Sequence, residues 1–67
     1  MFSTRLKELR QEKGFTLKYV AEHFNVTIRT ICRYEDGSRE PSIEMLIKFC
    51  NFYDVSADYI IGRTDSY

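Results

Sequence analysis

Apolar residues recur at helical spacing along the chain, and each run begins beside a hydroxyl residue. In three places an apolar residue precedes a hydroxyl residue and a second apolar residue follows the hydroxyl four positions later: Phe15-Thr16 with Val20, Val26-Thr27 with Ile31, and Val55-Ser56 with Ile60. A hydroxyl N-cap flanked in this way forms a hydrophobic staple at the start of a helix. With Pro41-Ser42 as a further start, the pattern predicts five helices, at 3–13, 16–24, 27–36, 42–53 and 56–62.

No segment alternates apolar and polar residues with the period of two that is typical of a half-buried strand. No linker or repeat divides the 67 residues, and a 43% apolar content with five Phe and five Tyr is enough for one small core. The sequence therefore predicts one all-α domain over 1–67, with a helix-turn-helix at 16–36 and a frayed tail at 63–67.

The composition narrows the class of protein. No apolar run approaches the ~18 residues of a membrane span and no signal peptide opens the chain, which predicts a soluble, cytoplasmic protein. Cys32 and Cys50 have neither zinc-site spacing nor the density of a disulfide scaffold, and His23 has no neighbouring ligand at metal spacing. We therefore predict reduced thiols, no metal, no cofactor and no enzymatic activity.

The charges are unevenly distributed although the net charge is zero. Residues 1–39 contain eight Lys or Arg against five Asp or Glu, a net of +3, and residues 40–67 contain two against five, a net of −3. This asymmetry favours a polyanion as the partner of the N-terminal part, although a chance dipole has the same appearance.

The second and third predicted helices are separated only by Asn25-Val26. Ala21 is small where the two helices would approach most closely, and Asn25 suits a left-handed turn. On the third helix Arg29 and Arg33, with Thr30 beside them, lie opposite the inward Ile31 and Glu35. A protruding helix of this kind fits the major groove, where Arg reads guanine; an ordinary solvated face is the alternative.

Four stretches carry a resemblance that extends from Arg5 to Gly62: RLKELR at 5–10, VAE at 20–22, YEDGSREPS at 34–42 and VSADYIIG at 55–62. The chain resembles the lambda-repressor/Cro-type (XRE) helix-turn-helix family, which implies a compact five-helix DNA-binding domain. The resemblance assigns base reading to Thr27, Ile28, Arg29, Thr30 and Arg33. It assigns phosphate binding to Thr16, Leu17, Lys18, Ser38 and Arg39. It also pairs Arg10 with Glu35, with a phosphate as the alternative partner of Arg10.

The chain departs from the family pattern at several of these positions. Leu17 replaces a phosphate-binding glutamine, while Asp36 and Ser38 replace the common Asn and Lys. Ile28 suits either the core or a thymine methyl. These differences predict weaker electrostatic anchoring, and hence salt-sensitive binding that depends on two linked half-sites.

The fourth helix has two apolar stripes. One stripe contains Ile43, Leu46, Ile47, Cys50 and Tyr53, and the other contains Met45, Phe49 and Phe52. We predict that Met45, Phe49, Phe52, Tyr59 and Ile61 form a homodimer interface, with internal packing between helices four and five as the alternative.

The sequence as a whole predicts a phage-repressor-like regulator that binds double-stranded DNA as a homodimer on a pseudopalindromic operator. The alternative is a protein-interaction module, such as an antitoxin or antagonist, that uses the same fold for a protein partner. We predict no membrane association and find no evident small-molecule ligand.

Overall fold

The computed structural model describes residues 2–65, which contain five α-helices and no strand. The helices are α1 (Phe2–Lys13), α2 (Leu17–Phe24), α3 (Ile28–Asp36), α4 (Ile43–Tyr53) and α5 (Ala57–Ile60). The all-α fold predicted from the sequence is confirmed.

Each predicted hydroxyl residue caps a helix. The side-chain oxygens of Thr16, Thr27, Ser42 and Ser56 accept hydrogen bonds of 3.0–3.2 Å from the N–H three residues later. The residues that precede three of these caps, Phe15, Val26 and Val55, pack against the core that contains Val20, Ile31 and Ile60. The helices therefore begin where local cap chemistry predicts.

The helix ends also follow local backbone chemistry, with one difference from the prediction. Gly14 and Asn25 adopt positive φ angles of 72° and 57° after α1 and α2. The fifth helix is shorter than the predicted 56–62, because it ends at Ile60 and Gly62 takes a left-handed φ of 89°. Ile61 is consequently the C-cap of α5.

The core forms between two groups of helices. α3 packs against α1 and α2, while α5 packs against α4 and α1. Aromatic rings fill the space between α4 and the first three helices, with Phe49 at the centre. The ring centroid of Phe49 lies 6.0 Å from that of Phe2, 4.7 Å from Phe24 and 5.5 Å from Tyr34.

This packing corrects part of the predicted homodimer interface on α4. Phe49 is completely buried, so its assignment to a dimer surface is wrong. Phe52 is half-buried because its ring bridges α4 to α2, 4.3 Å from His23 and 5.1 Å from Phe24. The exposed apolar residues of α4 are Ile43 and Ile47, which lie on the stripe that was not assigned to the dimer interface.

The other predicted dimer residues vary in exposure. Met45 and Tyr59 are half-buried against the core, and Ile61 is exposed. The Arg5 guanidinium lies 4.3 Å from the Tyr59 ring centroid and donates hydrogen bonds to the Thr64 carbonyl and the Asp65 carboxylate. These contacts fix residues 64 and 65 on α1; the rest of the predicted frayed tail, 66–67, lies outside the described residues.

Candidate nucleic-acid interface

The turn between α2 and α3 sets the position of α3. Asn25 is left-handed (φ 57°, ψ 45°), and its N–H donates to the Glu22 carbonyl at 3.2 Å. The next N–H, of Val26, donates to the Ala21 carbonyl at 3.0 Å. Ala21 is buried, so a small side chain stands where the two helices meet, as predicted.

The two faces of α3 differ sharply. Ile31, Tyr34 and Glu35 are buried and hold the helix against the rest of the domain. Arg29 and Arg33 are exposed on the outer face, and neither forms an ion pair with any residue between 2 and 65. The structure therefore brings together two unpaired guanidinium groups one helical turn apart.

The N-terminal tip of α3 presents small polar groups and one aliphatic side chain. Thr27 Oγ1 accepts from the Thr30 N–H at 3.2 Å and lies 2.9 Å from Thr30 Oγ1. Ile28 is 45% exposed and therefore not a core residue. Its side chain points outward, so it can contact an apolar group such as a thymine methyl.

The start of α2 borders this surface on one side. Thr16 and Lys18 are exposed and Leu17 is half-buried. The first N–H groups of a helix have no intrahelical acceptor, so those of Leu17 and Lys18 can donate to an anion even though the Leu17 side chain cannot.

The loop after α3 borders the surface on the other side. The Ser38 N–H donates to Asp36 Oδ1 at 2.8 Å, and hydrogen bonds from the side chain and backbone of Ser38, with nearby Arg33, lower the pKa of Asp36. The Ser38 backbone N–H is thus engaged by a neighbouring carboxylate. The Arg39 guanidinium lies 5.4 Å from the Tyr34 ring centroid, which restricts an exposed cation at the edge of α3.

The predicted Arg10–Glu35 pair forms and connects α1 to α3. Arg10 Nε donates to Glu35 Oε2 at 2.8 Å and Arg10 Nη2 donates to Oε1 at 3.1 Å. Arg10 Nη1 donates to the Phe15 carbonyl at 3.0 Å, a contact that the sequence did not reveal. The hydrogen bond with Glu35 raises the pKa of Arg10 above its usual value. All three guanidinium nitrogens are engaged, so the geometry favours a structural role.

Lys7 and Cys32 are among the residues that line a cavity of about 260 Å³ beside this pair. Lys7 is an exposed cation near the start of α2 that sequence reasoning missed; its spacing of three residues from Arg10 was the available signal. Cys32 is half-buried toward α1, and neither cysteine forms a disulfide.

Between residues 2 and 65, no group of three His, Cys, Asp or Glu side chains could hold a metal ion. None of the five helices is long and apolar enough to cross a bilayer.

Comparison with known proteins agrees with this geometry. A helix-turn-helix family model matches residues 6–60, a range that includes most of α1 and all of α2 to α5. The chain belongs to the XRE-type helix-turn-helix family.

Relatives within the family include proteins of known structure. The transcriptional regulator ImmR of Bacillus subtilis is 41% identical over 61 residues, which cover 91% of this chain and 48% of ImmR. A transcriptional regulator from Listeria innocua superposes with a TM-score of 0.87 at 31% identity, covering 100% of this chain and 63% of that one. The chain spans about half the length of the curated relatives it matches.

SinR, described as the master regulator for biofilm formation, is a further structural neighbour. Its structure in complex with DNA matches with a TM-score of 0.79 at 32% identity, covering 91% of this chain and 98% of that one. SinR is also similar in its complex with SinI, again with a TM-score of 0.79 at 32% identity, covering 92% of this chain and 61% of that one.

Proposed function

We propose that this XRE-type protein is a sequence-specific DNA-binding regulator of transcription that acts as a repressor. The observation that carries the proposal is the outer face of α3, where unpaired Arg29 and Arg33 stand on a helix whose inner face is buried. A helix fits the ~12 Å major groove, and Arg bonds the O6 and N7 of guanine bidentately. SinR, a structural neighbour, has been solved with DNA.

The roles of the remaining side chains follow from their placement. Thr27, Ile28 and Thr30 at the exposed tip of α3 enter the groove, where Ile28 contacts a thymine methyl. Thr16, Leu17 and Lys18 bind one phosphate through backbone N–H groups and the Lys18 ammonium.

On the other side of α3, Arg39 binds a second phosphate. Ser38 contributes less than Arg39, because Asp36 already engages its backbone N–H. Blocking access of RNA polymerase to a promoter would then repress transcription. The outcome of a reporter assay, repression or activation, tests this last step.

Binding as a homodimer compensates for a small contact area and few cations. A two-fold dimer places two recognition helices ~34 Å apart, one helical turn of DNA, on a pseudopalindromic site. The net charge of +3 over residues 1–39 supplies the anchoring, and each phosphate contacted adds about −0.9 to the slope of log affinity against log salt.

Selection of bound sequences from a randomised duplex pool tests the proposal. We expect a pseudopalindrome whose half-sites are about one helical turn apart. Arg33→Ala should relax specificity at one base pair and weaken binding by about 1–3 kcal/mol. Arg63→Ala is the matched control, because Arg63 is an exposed arginine in the acidic part of the chain. Equal binding of every sequence by the Arg33→Ala variant and the parent protein would exclude the base-reading role.

A protein-interaction module is the second candidate function. The zero net charge and the exposed Ile43 and Ile47 favour it, and SinR has been solved with a protein, SinI. The salt dependence of DNA binding separates the two candidates. A DNA-binding regulator loses affinity steeply as salt rises, whereas a module for a protein partner binds DNA weakly at every salt concentration.

A further inference from the structure

The loop after α3 fixes the backbone of Arg39 in the DNA-free protein. Gly37 turns the chain with a left-handed φ of 84°, and the Arg39 N–H donates to the Arg33 carbonyl at 3.2 Å. The Ser38 N–H donates to Asp36 Oδ1 at 2.8 Å. Because Ser38 and Arg39 are both hydrogen-bonded back to α3, the position of the Arg39 Cα is defined. Only the side-chain torsions of Arg39 then remain to be set.

The ring of Tyr34 restricts that side chain. Tyr34 belongs to the buried inner face of α3, and its ring centroid lies 5.5 Å from that of fully buried Phe49, edge to face. Core packing therefore holds the Tyr34 ring in place. The guanidinium carbon of Arg39 lies 5.4 Å from the centroid of the Tyr34 ring, within the ~6 Å range of a cation–π contact. A ring fixed by the core thus supports an exposed cation at the border of the recognition helix.

This contact leaves the hydrogen-bonding edge of the guanidinium free. Arg39 is exposed and forms no ion pair with any residue between 2 and 65. An aromatic ring attracts the face of a guanidinium group, whereas a phosphate is bonded bidentately by the N–H groups that lie in the guanidinium plane. Arg39 can therefore keep its contact with Tyr34 while it binds a phosphate.

We propose that Tyr34 is a positioning residue for DNA binding, because its ring holds the Arg39 guanidinium in the orientation in which Arg39 binds a phosphate. This inference rests on the proposed function, which supplies the phosphate. An exposed arginine loses rotamer freedom when it binds, and a side chain that is already restricted loses less. Tyr34 therefore raises the affinity for DNA without touching it, and the gain does not depend on the base sequence.

A double-mutant cycle of Tyr34→Leu and Arg39→Ala tests the proposal on a duplex that carries one half-site of the selected sequence. Arg39→Ala should weaken binding about tenfold and reduce the salt slope by about 0.9, because one phosphate contact is lost. Tyr34→Leu should weaken binding about two- to fivefold and leave the salt slope unchanged, because no charge is removed. In the Arg39→Ala protein, Tyr34→Leu should have no further effect on binding.

Tyr53→Leu is the matched control for the loss of a core ring. Tyr53 is a buried tyrosine of α4, so this change should destabilise the fold as Tyr34→Leu does but leave half-site binding by the folded protein unchanged. If Tyr34→Leu does not fold, Tyr34→Phe with and without fluorine on the ring replaces it. Fluorine weakens the attraction of a ring for a cation while nearly keeping its shape, so affinity should fall with each fluorine added.

Proton NMR of the DNA-free protein separates this inference from the proposed function. The Tyr34 ring should shift the side-chain protons of Arg39 upfield of those of Arg63, an exposed arginine that lies over no ring between residues 2 and 65. Absence of this shift overturns the positioning role. So does a Tyr34→Leu effect on binding that is the same with and without Arg39, or one that Tyr53→Leu reproduces. If the shift is present but Arg39→Ala binds DNA with the affinity and salt slope of the parent, the proposed phosphate contact is wrong and the positioning role is excluded with it.

Discussion

The ion pair between Arg10 and Glu35 connects α1 to the inner face of α3, and its removal tests how the recognition helix is held. The side chains are only 13% and 6% exposed, and Glu35 accepts two hydrogen bonds from Arg10, at 2.8 and 3.1 Å. Because Arg10 also donates to the Phe15 carbonyl, it fixes the start of α2 as well. Truncating one partner leaves the other charge buried without compensation.

The expected cost is large relative to the whole domain. Removing one member of a buried pair costs about 3–5 kcal/mol, and a 67-residue domain has a total stability of only about 3–10 kcal/mol. Glu35→Ala should therefore remove a large share of the free energy of unfolding. The double variant Arg10→Met/Glu35→Leu restores volume without charge but loses the hydrogen bond to the Phe15 carbonyl, so it should cost only about 0.5–1.5 kcal/mol.

Urea denaturation followed by far-ultraviolet circular dichroism measures these free energies of unfolding. Asp65→Asn is the matched control, because it removes the Arg5 ion pair whose carboxylate is 99% exposed and should cost less than ~1 kcal/mol. A Glu35→Ala variant as stable as Asp65→Asn would refute the reasoning. DNA binding by the folded double variant also tests the alternative phosphate role of Arg10, since unchanged affinity would exclude it.

Two further changes test local features of the fold. The Tyr53 hydroxyl is buried and has no hydrogen-bond partner among the described residues, so Tyr53→Phe should be at least as stable as the parent near neutral pH, by thermal denaturation. Burial raises the pKa of Tyr53 in the folded protein, so above pH ~10 the unfolded chain loses this proton while the folded protein keeps it. The free energy of unfolding is therefore unaffected by this group below pH ~10 and falls as the pH rises above that value. Tyr53→Phe should reduce the slope of this fall by up to ~1.4 kcal/mol per pH unit. Asp54 caps α4 in the left-handed conformation (φ 54°) and places a negative charge at a helix C-terminus. Asp54→Gly should therefore stabilise the protein by about 0.5–1 kcal/mol in urea denaturation, and no gain would contradict this account of the cap.

The helix starts were predictable because their causes lie within a few residues. A hydroxyl such as Thr27 accepts a hydrogen bond from an N–H three positions later, so the interaction is encoded locally. The left-handed Asn25 is equally local. The outward direction of Arg29 and Arg33 follows once Ile31 is assigned to the core, because the helical period then determines the opposite face.

The burial of α4 was not predictable in this way. Both of its stripes are apolar, and only tertiary packing decides between them. The rings that lie around Phe49 bury a sector between the two stripes, which leaves Ile43 and Ile47 outside.

The contact between Ser38 and Asp36 did have a local signal, since Asp commonly accepts a hydrogen bond from a backbone N–H two residues later in a turn.

The division of charge along the chain constrains how the proposed DNA binding and dimerisation can coexist. Every residue assigned to DNA lies within 1–39, where the net charge is +3, and residues 40–67 carry a net charge of −3. The acidic part is therefore unsuited to a second phosphate surface. A weak dimer and a weakly anchored monomer become effective together on one duplex, because the first half-site bound raises the local concentration of the second copy. The fraction of the DNA site that is bound should consequently fall more when the spacing between its half-sites is changed than when one half-site is weakened.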